Sequence, residues 1–148
     1  MLLDENNYKE KLFAFTNQDW QPFIKIIHKI EKTSYFGELG KLEMVDKGVY
    51  QESFSTFAPI VSEFLEIVYN LPVIVNFNWK IWKEGWDILN DQNFDFDKLD
   101  IPTKCKLLTT VIRNDRFCEG ALVSAFKSGL MLNILKSIEK ELNSNNVN

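Results

Sequence analysis

The sequence predicts a mainly α fold. One compact domain of about six helices is expected over residues 1–142, with a small β-hairpin at residues 39–54 and a polar, disordered tail at 143–148. Three observations carry this reading. Apolar residues recur at helical spacing along most of the chain. Only six glycines and four prolines interrupt its 148 residues. The balance of 45% apolar and 26% charged residues is that of a globular chain rather than a disordered or collagen-like one. A domain of this length buries roughly 68–70% of its unfolded surface, enough for a core without a disulfide or metal staple.

The elements follow in order. Asp4 is the expected cap of a first helix to Phe15, with Tyr8, Leu12 and Phe15 on one face. After Asn17-Gln18, Asp19 is the expected cap of a second helix. Its first turn holds Pro22, and Phe23, Ile26, Ile27 and Ile30 face inward. From Thr33 to Ser55 the helical period fails. Two short, partly alternating runs, 39–45 and 49–54, flank Asp46-Lys47-Gly48, which can close a hairpin. Pro59 opens a third helix to Tyr69, with Ile60, Phe64, Leu65 and Val68 as its apolar face. Leu71-Pro72 ends it, and Val73-Ile74-Val75 reads as an extended piece. Trp79 to Leu89 reads as a helix with Trp79, Trp82 and Trp86 in a core-facing stripe. Asn90 to Asp100 is an acidic, turn-like stretch.

Pro102-Thr103 opens a helix through Leu107, Leu108, Val111 and Ile112, broken at Asn114-Asp115. Asp115 is the expected cap of a helix from Arg116 to Lys127, with Leu122, Val123 and Phe126 inward. Ser128-Gly129 ends it, and Leu130 to Leu142 is the last helix. The core is expected to be led by Phe64, Trp82, Trp86, Leu108, Ile112, Leu122, Phe126 and Ile134.

Charge and cysteine content narrow the function classes. Seventeen basic against 21 acidic residues give a net charge of −4, which disfavours nonspecific nucleic-acid binding. A basic face built from Lys25, Lys29, Lys32, Lys80 and Lys83 would be needed for that role. Cys105 and Cys118 are too few for a disulfide framework or a zinc site, and reduced thiols in a cytoplasm are expected. Acids precede any basic segment at Met1-Leu2-Leu3-Asp4-Glu5, so no signal peptide is expected, and no stretch approaches the ~20 apolar residues of a membrane span. No cofactor or metal set is expected. Asp95, Asp97 and Asp100 lack a calcium-loop pattern, and His28, the single histidine, has no sequence neighbour that makes a nucleophilic pair.

The richest local chemistry is Arg113-Asn114-Asp115-Arg116-Phe117-Cys118-Glu119-Gly120, which holds both arginines of the chain. As a helix junction, Asp115 caps, an arginine pairs with a carboxylate from another helix, and Gly120 admits a neighbour. As a site, Arg113 and Arg116 clamp an anion, Cys118 gains acidity in the first turn of a helix, and Glu119 serves as acid or base. Trp79, near its helix start, is the indole expected to remain accessible to a ligand.

At this segment the chain resembles a bacterial family of small proteins known only as a domain of unknown function. The resemblance rests on residues 109–122, with the pattern Arg-x-x-Arg-Phe-Cys-Glu-Gly-x-Leu, and on Ser128-Gly129-Leu130, Ile134-Leu135, the Tyr50–Phe64 stretch and Phe77-Asn78-Trp79-Lys80-Ile81-Trp82. It spans roughly residues 35–140 and departs from the family at Pro59 and in the acidic stretch before Ile101. It implies a compact bacterial domain and no activity. Three functions are compatible with these features. The first is a non-catalytic interaction or accessory module with a protein partner. The second is a binder of a small anionic ligand, with enzymatic use of Cys118 and Glu119 as an extension. The third is a nucleic-acid accessory factor.

Overall fold

The computed structural model describes residues 2–145. Its helices are α1 (Tyr8–Ala14), α2 (Asn17–Glu31), α3 (Pro59–Asn70), α4 (Lys83–Leu89), α5 (Ile101–Asn114), α6 (Ala121–Lys127) and α7 (Leu130–Asn145), seven rather than six. Six short strands accompany them: β1 (Leu3–Asp4), β2 (Gly37–Glu38), β3 (Leu42–Asp46), β4 (Val49–Glu52), β5 (Thr56–Phe57) and β6 (Val75–Asn76).

Helix α5 is the axle. Its residues from Leu107 to Ile112 are all buried, and α1, α4, α6 and α7 pack around it. Asp100 caps it, its carboxylate accepting from the Thr103 N–H at 2.9 Å, and Pro102 sits in the first turn, where no N–H is missed. Helix α2 buries Phe23, Ile26, Ile27 and Ile30 against α3 and α7, as the apolar stripe requires. Its cap is Thr16, not Asp19. Thr16 Oγ1 accepts from the Asp19 N–H and Asp19 accepts from the Thr16 N–H, a reciprocal box. The earlier start moves Pro22 from the first turn into the helix, where it gives up one hydrogen bond of the ladder.

The first helix starts at Tyr8, later than a cap at Asp4 predicts, because the chain before it is extended and then turned. Leu3 and Asp4 pair in parallel with Val75 and Asn76, and the Asp4 carboxylate turns back to the Asn6 N–H instead of capping α1. The β-branched run 73–75 is buried as expected. The Val75 N–H donates to Thr109 Oγ1 on α5 at 3.0 Å. The core holds Phe64, Leu108, Ile112, Leu122, Phe126 and Ile134 as predicted, but Trp82 and Trp86 are only half-buried. The Trp79–Leu89 stretch is not one helix. A 3-10 turn covers Trp79–Ile81, the chain kinks at Trp82, and α4 starts at Lys83. Two further boundaries shift. Residues 116–120 are turns, so α6 begins at Ala121 rather than Arg116. Helix α7 continues to Asn145, past the expected end at Leu142, and residues 146–148 of the expected tail lie outside the described residues. No single helix among the described residues is long and apolar enough to cross a membrane.

Residues 37–57 form an arm. Strands β2 and β5 pair at its root, and β3 and β4 pair antiparallel beyond it through the Asp46-Lys47-Gly48 turn. The root is anchored: Phe36 stacks on Phe126 at 5.2 Å, and the Ala58 N–H donates to the Phe36 carbonyl. Every residue of β3 and β4 is exposed.

Candidate functional site

The Arg113–Gly120 segment is a junction with a structural half and a free half. In the structural half, Asp115 reaches over the turns, its Oδ1 accepting from the Leu122 N–H at 3.0 Å, one of the orphan donors at the start of α6. Gly120 adopts φ +88° and ψ −6°, a left-handed conformation that favours glycine. A Cβ there would lie 3.0 Å from Leu39 Cδ2 and 3.1 Å from Ser55 Oγ. The neighbour that needs Gly120 is therefore the root of the arm, not a helix. Glu119 fastens the same root, accepting from the Ser55 N–H at 3.3 Å.

The free half is the pair of arginines. Arg116 is exposed and Arg113 half-buried. Among the described residues, neither guanidinium has a carboxylate within 4 Å or a side-chain hydrogen bond, so the expected ion pair to another helix is absent. Arg113 lies over the Tyr69 ring of α3, 5.9 Å from its centroid. Both arginines line a cleft of about 310 Å³ with Phe57, Leu65, Tyr69, Ile112, Asp115 and Leu122.

Cys118 and Glu119 do not line that cleft. Cys118 is exposed and sits in the turns three residues before α6, not in the first turn of a helix as expected. Cys105 is the opposite case: burial pushes its thiol up to about 12. Trp79 is half-buried between Trp86 and Phe117, and its carbonyl accepts from Trp86 Nε1. Lys80 Nζ sits 3.6 Å from the Phe117 ring centroid, so the aromatic group beside the junction already holds a cation.

A larger concavity, about 660 Å³, lies between residues 94–97 and α7. Its charged groups are already matched. Asp97 accepts from Ser137 and Lys140, and those bonds hold its carboxyl below the ordinary range. Lys136 joins Glu31 and Glu139. His28 also bonds Glu139; burial works against that carboxylate, and the bonds from Lys136 and His28 outweigh it, lowering its pKa. The three acids of the expected acidic loop are thus spent separately: Asp95 caps the 3-10 turn of Phe96–Lys98, Asp100 caps α5, and Asp97 holds α7. Lys104, 1% exposed, donates to Glu141 at 2.9 Å and to the Ser137 carbonyl at 3.2 Å. Of the lysines needed for a basic face, Lys29 and Lys83 are neutralised by Glu63 and Asp87.

Sequence reasoning missed the arm as a feature of function. Leu42, Met44, Val45, Val49, Tyr50 and Phe54 are all more than half exposed, Phe54 reaching 81%. It also missed Tyr69 and Phe57, which complete the arginine cleft from α3 and the arm root.

The sequence profile of a family of unknown function (DUF6508) matches residues 15–144. No curated protein and no solved structure matches the chain.

Proposed function

The chain belongs to the DUF6508 family, whose function is unknown, and we propose that it is a non-catalytic interaction or accessory module of a bacterial cytoplasm that docks a protein partner through its arm. One observation carries the reading: the β3–β4 hairpin exposes five large apolar side chains, Phe54 adds a sixth just beyond β4, and every residue of the two strands is exposed. A two-stranded hairpin without a third layer is marginal in water. Exposed apolar patches of this kind mark interaction surfaces. The register places Met44 opposite Tyr50 and Leu42 opposite Glu52, so Leu42, Met44 and Tyr50 share one face. Glu38, Glu43, Asp46 and Glu52 outnumber Lys41 and Lys47 along the arm, which suits a partner surface that is apolar and basic. Both outer edges of the hairpin are also unpaired, and a partner strand could add to either. The bacterial setting rests on the sequence resemblance.

The test is capture from a lysate of the source cells with the full chain and with a variant carrying L42S, M44S and Y50S. The expected result is a discrete partner retained by the wild type and lost by the variant, with the two chains equally stable. Absence of any protein whose capture depends on the arm would overturn the reading.

A second reading, a binder of small anions through Arg113 and Arg116, is favoured by the two guanidiniums that lack carboxylate partners.

A further inference from the structure

We infer that the cleft between α3, the arm root and the end of α5 takes a small amphipathic monocarboxylate. Its carboxylate would lie on Arg113 and Arg116 and its apolar body against Tyr69, Phe57 and Leu65. The inference rests on the anion-binding reading and adds the class of ligand. Three observations define that class.

The first is the state of the cations. Lys29, Lys83, Lys104, Lys106, Lys136 and Lys140 all have acidic partners within 4 Å. Both arginines have none, although a guanidinium presents a planar fork that matches a carboxylate edge. Among the described residues nine of the fifteen lysines also lack an acidic partner within 4 Å, but all nine are exposed and none lines this cleft, whereas both arginines line it. The C-terminal end of α5 welcomes positive charge, but a helix end asks only for charge and not for a fork.

The second is the local charge. Asp115 lies between the two arginines in sequence and lines the same cleft, and one of its oxygens is committed to the Leu122 N–H. Two guanidiniums and one carboxylate leave a single net positive charge. A monoanion balances that charge, whereas a phosphate dianion would exceed it and be repelled by the Asp115 carboxylate that lines the same cleft.

The third is the lining. Phe57, Leu65, Ile112 and Leu122 give the cleft apolar walls, and the Tyr69 ring is already under Arg113. A volume of about 310 Å³ stands at the lower end of the ~300–1,000 Å³ of ligand sites, so the body is small. Acetate would leave the apolar wall wet, and a neutral analogue would leave the guanidiniums unmatched.

The experiment is a titration of the full chain, followed by chemical shift and by thermal stability, with phenylacetate, phenylacetamide, acetate and inorganic phosphate at fixed ionic strength. Phenylacetate is expected to bind saturably and raise the melting temperature, with phenylacetamide and acetate weaker by about tenfold or more. R113K and R116K keep the charge at the helix end and lose the fork. Each is expected to melt like the wild type without ligand and to bind phenylacetate about tenfold more weakly or worse. If acetate or phosphate binds as tightly as phenylacetate, the amphipathic class is overturned while the anion-binding reading stands. If no anion binds, both fall. Unchanged phenylacetate binding in the R113K/R116K double variant would also overturn the inference, because the ligand would then sit elsewhere.

Discussion

Replacing Gly120 by alanine tests how the arm is seated on the body. At φ +88° the substitution forces a Cβ into left-handed backbone, which costs an L-residue roughly 1–2 kcal/mol. Gly129, at φ +87° between α6 and α7, carries the same backbone cost, but a Cβ there meets nothing within 4 Å. At Gly120 the new methyl would stand 3.0 Å from Leu39 Cδ2 and 3.1 Å from Ser55 Oγ. Leu39 can swing its end away, but Ser55 Oγ accepts the Gly40 N–H at 3.1 Å and loses that bond if it moves. G129A therefore reads the backbone alone, at about 1–2 kcal/mol, and G120A adds the displaced root for a total of about 2–3 kcal/mol. Urea denaturation followed by tryptophan fluorescence measures both, and hydrogen exchange at the Gly40 amide reports the root directly. The expected pattern is a larger loss in G120A, faster Gly40 exchange in that variant alone, and partial recovery in G120A/L39A. Equal losses in the two alanine variants with unchanged Gly40 exchange would refute the seating of the arm on the 115–120 turns.

Three further outcomes follow from the same geometry. Core and arm should separate in stability: F64A, at a fully buried position, is expected to cost about 3–5 kcal/mol. M44S and Y50S should each stay within ~0.5 kcal/mol apart from a cross-strand pair of up to ~1 kcal/mol, read by the same denaturation. The carboxyls of Asp97 and Glu139 are held below their ordinary range, so their stabilisation is full above the unfolded carboxylate values near pH 4 and is lost as pH falls through the lower folded values. Melting temperature against pH should show an acid limb that is flatter in E139Q, and an identical limb would contradict the network on α7. A thiol reagent at neutral pH should label Cys118 in the native protein and Cys105 only after unfolding, because one is exposed and the other is fully buried with a raised pKa; equal labelling rates would contradict that placement.

The parts of this fold that were legible in the sequence are those in which burial imposes a period. The stripe Phe23, Ile26, Ile27 and Ile30 and the run through Leu107, Leu108, Val111 and Ile112 are buried as their spacing demands. The hairpin turn at Asp46-Lys47-Gly48 was legible from turn chemistry. Spacing misled where a period was met without a continuous helix. Trp79, Trp82 and Trp86 keep helical intervals, yet Trp82 lies across Gly85, whose missing side chain makes room for the indole, and the backbone kinks there. Residues 116–120 can be written as helix, but the left-handed Gly120 and the Asp115 bond to Leu122 select turns. Asp4 has the chemistry of a cap and is instead claimed by pairing with the distant strand β6. The arginine cleft depends on Tyr69, Phe57 and Leu65 arriving from α3 and the arm root, a meeting no local pattern encodes. The apolar residues of the arm were visible, but their exposure was not, because only the tertiary arrangement leaves the hairpin without a covering layer.

Docking of a partner on the arm is tested in place by site-specific photo-crosslinking in the source cells. A photoreactive phenylalanine analogue at Tyr50, on the apolar face of the hairpin, is compared with the same analogue at Lys9, exposed on α1. A discrete crosslinked species is expected from position 50, absent from position 9 and lost when L42S and M44S are added. No adduct from position 50, or the same adducts from both positions, would contradict it.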